Sequence, residues 1–218
     1  RCAEHMNLYS FFRSSAAYRV RIALNLKGLE YDQIPVHFRK DGGQHRSPMF
    51  LNLNPQGLLP VIDDNGFVLQ QSLAIIEYLD EQYPETSRLV PRATRDRAVV
   101  RAMSQMVACD LHPLNNLRVL NYLRQDMGQS EESIGAWYRH WVRETLGPLE
   151  ELVGQHGGAC CFGDEISLVD VCIVPQLYNA RRFDCDVDSF PHVIAIDKHL
   201  RELPPFAAAA PEAQPDFE

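Results

Sequence analysis

The sequence lacks the marks of several large protein classes. No apolar run approaches the roughly 20 residues needed to cross a bilayer, and the first residues show no charged-then-apolar secretory plan. Basic residues are outnumbered, 21 Lys and Arg against 29 Asp and Glu, giving a net charge of −8. That deficit argues against a nucleic acid held through its phosphates and against docking on an anionic membrane. The six cysteines include no C-x-x-C pair and no histidines at zinc-finger spacing, so reduced, mostly buried thiols are expected and no metal site. There are no internal repeats. A cytoplasmic globular protein with a small-molecule partner is the expectation left standing. Residues 1–5, ahead of Met6, read as an added leader, which keeps Cys2 out of functional argument.

What is present alternates strand and helix for some eighty residues. Residues 6–11 read as a strand, and residues 16–27 as a helix closed by Gly28. Residues 31–37 read as a second strand, which completes a βαβ unit. A polar loop, RKDGGQHRSP, and a turn, Asn54-Pro55-Gln56-Gly57, lead to a strand from Leu58, with a cis Leu59–Pro60 bond expected. Asp63-Asp64-Asn65-Gly66 suits a hairpin turn, and Gln71-Ser72 opens a helix to Tyr83. Residues 6–83 are thus expected to form a small α/β domain and residues 84–91, with a proline at each end, a linker. Residues 92–210 are expected to form an all-helical domain, its first helix kinked at Pro113. A cleft between two such domains is a common address for a small ligand. In Ser167-Leu168-Val169-Asp170 the hydroxyl and carboxylate form a capping box, which gives Asp170 a folding role. The tail, AAAAPEAQPDFE, is expected to be an extended or mobile strap.

The chemically suggestive stretch is Arg13-Ser14-Ser15, where the first strand hands over to the first helix. A thioredoxin-type redox enzyme would carry C-x-x-C at that junction; here the residues are SSAA, so dithiol exchange cannot run there. Taken alone, the two serines read as turn residue (Ser14) and helix N-cap (Ser15).

The βαβ-ββα head, the expected cis proline and the helical second domain together resemble the cytosolic glutathione transferase superfamily, whose head is a thioredoxin-like domain. RSSAAYRVRIAL (13–24) resembles the signature of its zeta class, the maleylacetoacetate isomerases. NPQGLLPVI (54–62), QSLAIIEYLDEQYP (71–84), DLHPLNNLRVL (110–120) and VPQLYNARRF (174–183) are similar to further blocks of that class. One position departs: the class's usual cysteine after the two serines is Ala16 here, so any role of that thiol is absent.

The resemblance implies glutathione as cofactor and a maleyl keto acid, maleylacetoacetate or maleylpyruvate, as substrate. Thiolate addition to the cis double bond leaves a single bond that rotates before the sulfur departs. By the class pattern Ser14 is the first choice of thiolate hydrogen-bond donor and Ser15 the second. A charge-assisted bond of roughly 1.5–3 kcal/mol plus about 0.3–1 kcal/mol from the helix N-terminus suffices to lower a thiol pKa by about two units. Gln71 and Ser72 are expected at the γ-glutamyl carboxylate, the Val61 backbone at the cysteinyl part, and Gln44 and His45 at the glycyl end. Arg13 and Arg182 are assigned to substrate carboxylates and developing charge, with Arg181 or Arg118 assisting. His112, Asn115 and Asn116 are expected to donate hydrogen bonds to glutathione or substrate. Arg19 and Arg21 read as structural ion pairs with the helical body. A homodimer is implied by resemblance alone. Two other readings remain open: a general glutathione transferase or dehalogenase acting on small electrophiles, and a non-catalytic glutathione-binding protein.

Overall fold

The structure, a computed structural model, describes residues 5–218; the leader reading of residues 1–4, with Cys2, lies outside the described residues. The chain divides into two compact units, one running to Leu89 and taking up Glu202–Glu218, the other Val90–Arg201. The helical range expected to end at 210 therefore ends at 201 in this division, with the last stretch joined to the first unit.

The first unit follows the expected order with one addition. Strand β1 (Met6–Ser10) leads to helix α1 (Ser15–Lys27) and strand β2 (Asp32–Pro35). A short helix α2 (Pro48–Leu53) then precedes the hairpin β3 (Val61–Asp64) and β4 (Phe67–Gln70), and helix α3 (Ser72–Gln82) follows. The sheet order is β2-β1-β3-β4, with β1 parallel to β2 and antiparallel to β3. Gly28 closes α1 in the left-handed conformation, φ 65°, as the sequence suggests. Asn65 and Gly66, at φ 52° and 91°, make the tight turn of the hairpin, and the Leu59–Pro60 bond is cis. The residues of α2 carry no helix in the sequence reading, yet its start is marked: Ser47 Oγ accepts the Phe50 N–H at 3.2 Å, and Pro48 occupies the first turn.

Burial explains why α1 is a poor amphipathic helix. Tyr18 through Leu24 are all buried, because α1 has cover on more than its sheet face. The extra cover is helix α9 (Pro204–Ala209), whose Phe206 and Ala209 are fully buried. The expectation of a mobile terminal strap is thereby corrected: residues 204–218 form α9, a 3₁₀ turn at Pro211–Ala213 and a hydrogen-bonded end. Phe206 and Ala209 supply the buried face, so a composition that looks unstructured folds against a helix. Arg19 and Arg21, 2% and 0% exposed, are buried, and each donates within the first unit, Arg19 to Ser72 Oγ and Arg21 to Ser10 Oγ and the Phe12 C=O.

The second unit consists of helices. They are α4 (Thr94–Gln105), which continues into a π-helical turn at Met106–Leu111, then α5 (Leu117–Gln125), α6 (Glu131–His156), α7 (Leu168–Arg182) and α8 (Pro191–Glu202, ending at the boundary). Pro113 sits in the break between the π turn and α5, where its missing N–H costs no helical hydrogen bond. Helix α7 forms the core, with Leu168 through Leu177 buried without interruption. Its capping box is present: Asp170 accepts the Ser167 N–H and hydroxyl at 2.8 and 2.9 Å, and its other oxygen accepts the Cys161 N–H at 2.8 Å. Those bonds satisfy a carboxylate whose pKa burial raises, and Asp170 keeps its folding role.

Candidate active site

Strand register brings the candidate residues of the first unit to one end of its sheet. Tyr9 is opposite Val61, and Val61 is opposite Gln70. The exit of β1, the entry of β3 and the exit of β4 therefore share an edge. From it leave the turn carrying Ser14, the cis Leu59–Pro60 bond and the Gln71–Ser72 step. Beneath them lies one apolar cluster, Phe11, Phe12, Val36, Phe50, Leu59 and Val61. Two of its members precede Ser14 and two flank the cis proline, so the core itself fixes the separation of these segments.

Ser14, not Ser15, is the N-cap of α1. Its Oγ accepts the Ala17 N–H at 3.2 Å, and its own N–H donates to the Phe11 C=O at 2.9 Å. This reverses the cap-and-turn assignment drawn from sequence. A hydroxyl that caps as an acceptor keeps its hydrogen for a second partner, so capping and donation to an anion coexist at Ser14. Ser15 is the first helical residue and is buried. No acidic side chain occupies the first turn of α1, so the helix carries no carboxylate of its own at the positive end of its dipole. Arg13 is half-buried, its guanidinium 4.9 Å from the centre of the Phe12 ring.

The start of α3 is built in a similar sense. Gln71 takes φ 76°, a conformation that costs a non-glycine residue of order 1–3 kcal/mol. No side chain caps the helix, and no acidic residue sits in its first turn. Ser72 is buried, and its Oγ accepts a hydrogen bond from Arg19 Nη1 at 3.3 Å, which leaves the hydroxyl hydrogen for a carboxylate. The Gln71 amide donates to Gln56 Oε1 at 2.9 Å, across the turn that precedes the cis proline.

Val61 is committed to the sheet through its two registers. Leu59, on the other side of Pro60, is the residue with open backbone: among the described residues neither its N–H nor its C=O forms a backbone hydrogen bond. Asn54 shapes the approach, donating to the Leu58 C=O at 2.8 Å and accepting the Gln56 N–H at 3.1 Å. The sequence reading missed Leu59; its signal was the residue before a cis proline, where the chain leaves the ladder. Gln44 has a structural engagement, accepting the His37 N–H and donating to Asp41, both at 2.9 Å. His45 packs against the Phe38 ring with centroids 4.6 Å apart, and burial, aided by the Arg46 charge, lowers its pKa.

The remaining candidates lie on the second unit. Arg182 is exposed, with Nη1 donating to Asn179 Oδ1 at 3.2 Å. Its neighbour Arg181 is paired with the buried Asp197 at 2.7 Å. Arg118 is exposed at the start of α5. Asn116 caps that helix through Oδ1, and its amide lies 3.3 Å from His112 Nε2. Asn115 is buried and donates to the Tyr138 C=O at 3.3 Å, a structural use of its amide.

A thioredoxin-type unit with a cis proline facing a serine-capped helix, accompanied by an all-helical unit, defines the glutathione transferase fold. Residues 8–87 match the family model described as glutathione S-transferase, N-terminal domain. A maleylacetoacetate isomerase of Pseudomonas aeruginosa is 47% identical over 212 residues, 97% of this chain and 98% of its own. Among solved structures, a bacterial maleylpyruvate isomerase described as a zeta-class glutathione S-transferase in holo form superposes with a TM-score of 0.93 at 44% identity, covering 97% of this chain and 100% of that one. A maleylacetoacetate isomerase of Methylobacterium extorquens, solved with malonate and glutathione bound, gives 0.91 at 36% identity, covering 97% and 99%. The chain belongs to the glutathione S-transferase family, in the zeta class of maleylacetoacetate and maleylpyruvate isomerases.

Proposed function

We propose that this chain is a glutathione-dependent isomerase that converts a maleyl keto acid, maleylacetoacetate or maleylpyruvate, to its fumaryl form. The carrying observation is Ser14: a half-buried hydroxyl that spends an acceptor site on its own helix and retains a hydrogen to donate. The residues at the sheet edge fit the tripeptide. Leu59 offers an open N–H and C=O for an extended peptide to pair with, and Ser72 with the uncapped start of α3 offers donors to a carboxylate.

When bound, glutathione supplies a thiolate that adds reversibly to the maleyl double bond, allowing rotation, and is released unchanged. Ser14 donates its hydrogen bond at the sulfur, and the N-terminal end of α1 favours negative charge there. Gln71 and Ser72 hold the γ-glutamyl carboxylate. Leu59 takes the backbone role expected of Val61, whose side chain packs in the core below. His45 contributes at the glycyl end as a neutral group, and Gln44 shapes that loop. Arg182 and Arg13 bind substrate carboxylates and offset developing charge. The protein is assigned to the cytoplasm, where free cysteines and glutathione stay reduced, and to a homodimer, which light scattering tests by a mass twice that of the chain.

The test is the ultraviolet thiolate titration of bound glutathione. Ser14→Ala is expected to leave glutathione affinity within a few fold and to raise the bound thiol's pKa by about 1–2 units, the worth of one hydrogen bond to a charged group. An unchanged pKa transfers the role away from Ser14.

A further inference from the structure

We propose that the C-terminal segment, through Asp216, is a positioning element for Ser14. The inference rests on the assignment of Ser14 as thiolate donor and concerns what holds Ser14 in place.

Ser14 is delivered by a turn in which its N–H reaches back to the Phe11 C=O at 2.9 Å. Inside that turn the backbone of Phe12 is held at both of its polar groups by residues remote in sequence. Asp216 Oδ2 accepts the Phe12 N–H at 2.9 Å, across 204 residues of chain, while Arg21 Nη2 donates to the Phe12 C=O at 3.0 Å. Both are bonds to charged groups, stronger than neutral ones.

Each clamp is itself anchored. Arg21 is wholly buried and also donates to Ser10 Oγ at 3.0 Å and to the Ala209 C=O at 2.9 Å, so one guanidinium ties β1, the turn and the terminal helix α9 together. Burial lowers its pKa to about 10, still well above neutral, so the charge persists. Asp216 uses its second oxygen to accept from Gln33 Nε2 at 3.3 Å. Phe217 meets the Phe12 ring edge-on at 5.5 Å, and Glu218 pairs with His37 and Lys40. Gln214, upstream, donates to the C=O groups of Ala208 and Ala210. A terminal segment that needed only to cover the core would have no reason to place a carboxylate on the one backbone N–H two residues before Ser14. This arrangement over-determines the turn.

The test compares Asp216→Ala with Asp216→Asn, which loses the charge but keeps an acceptor oxygen. Three readouts are taken: hydrogen exchange of the Phe12 amide in the ligand-free protein, the pKa of bound glutathione's thiol, and kcat and KM for the maleyl acid. Asp216→Ala is expected to speed Phe12 amide exchange by about tenfold or more, the scale of one lost charge-assisted bond. It is expected also to raise the thiol pKa and to lower kcat with substrate KM little changed. Asp216→Asn, which keeps a neutral acceptor oxygen, should recover part of each effect. The proposal is overturned if Asp216→Ala leaves the thiol pKa and Phe12 exchange at wild-type values, or if it lowers only the unfolding midpoint. It is overturned too if Asp216→Asn shifts the thiol as far as Asp216→Ala, which would assign the effect to charge. Phe12 exchange is read without glutathione, so a failure of the glutathione assignment shows separately, as wild-type protein that neither binds the tripeptide nor ionises its thiol.

Discussion

At the scale of single residues, the site depends on which polar atoms are already spent. Arg181 pairs with the buried Asp197, and Arg182, on the exposed side of the same helix end, donates to Asn179. Arg182→Ala is accordingly expected to lower kcat/KM for the maleyl acid by one to two orders of magnitude, roughly one charge-assisted hydrogen bond, with glutathione affinity unchanged. A parallel loss of glutathione affinity would place this residue at the cofactor instead. The cysteines divide in the same way. Burial pushes the Cys160 thiol up to about 12 and that of Cys185 to about 11, and raises Cys161 well above its usual value, so these stay protonated and inert at pH 8. Cys109 is exposed. Peptide mapping after brief iodoacetamide treatment of the native protein should find Cys109 modified well ahead of Cys160, Cys161, Cys172 and Cys185.

At the scale of elements, the step from β4 into α3 concentrates backbone strain at Gln71, where the γ-glutamyl carboxylate is proposed to bind. Gln71→Gly relieves the positive φ and removes the side chain, so it is expected to hold or raise the unfolding midpoint while weakening glutathione binding. A variant that loses stability instead would show that Gln71 contributes more to the fold than to the ligand. The element level is also where the sequence was most legible. Turn chemistry announced the Asn65-Gly66 hairpin, the Gly28 cap and the Ser167–Asp170 box, since each needs specific residues at fixed offsets. The cis bond at Pro60 was legible for the same reason. Features set by distant packing were not. Arg19 and Arg21 read as ion-pair partners until α9 is known to cover α1, and residues 207–218 read as an extended or mobile strap until α1 is known to receive α9. Among the candidate site residues, local pattern located the two helix starts but put the α1 cap one residue late, at Ser15 rather than Ser14. Leu59 could not be preferred to Val61 without the register that spends the latter's backbone.

At the scale of the whole molecule, the first unit closes on a charge pair. Lys27 Nζ lies 2.6 Å from Asp80, both side chains essentially without exposure. Asp80 also accepts the Leu89 N–H, and Lys27 donates to the Ser87 C=O at 2.8 Å, so α1, α3 and the segment after α3 meet at one point. Lys27→Met takes the lysine charge away from a buried carboxylate and is expected to cost about 3–5 kcal/mol, seen as a lower urea midpoint at unchanged slope. A loss below about 1 kcal/mol would give the pair no more weight than a surface one. This scaffold holds the Ser14 turn, the cis proline and the start of α3 at one sheet edge, and the function assigned to it is catalysis by a sulfur that is lent and returned. The most direct test counts turnovers: purified protein, a limiting amount of glutathione and an excess of maleylacetoacetate or maleylpyruvate, with cis acid, fumaryl product and free thiol all followed. The account predicts many molecules isomerised per glutathione, the thiol fully recovered and no enzyme-dependent conversion without it. Conversion that proceeds equally without glutathione, or that consumes one thiol per molecule of acid, would contradict it.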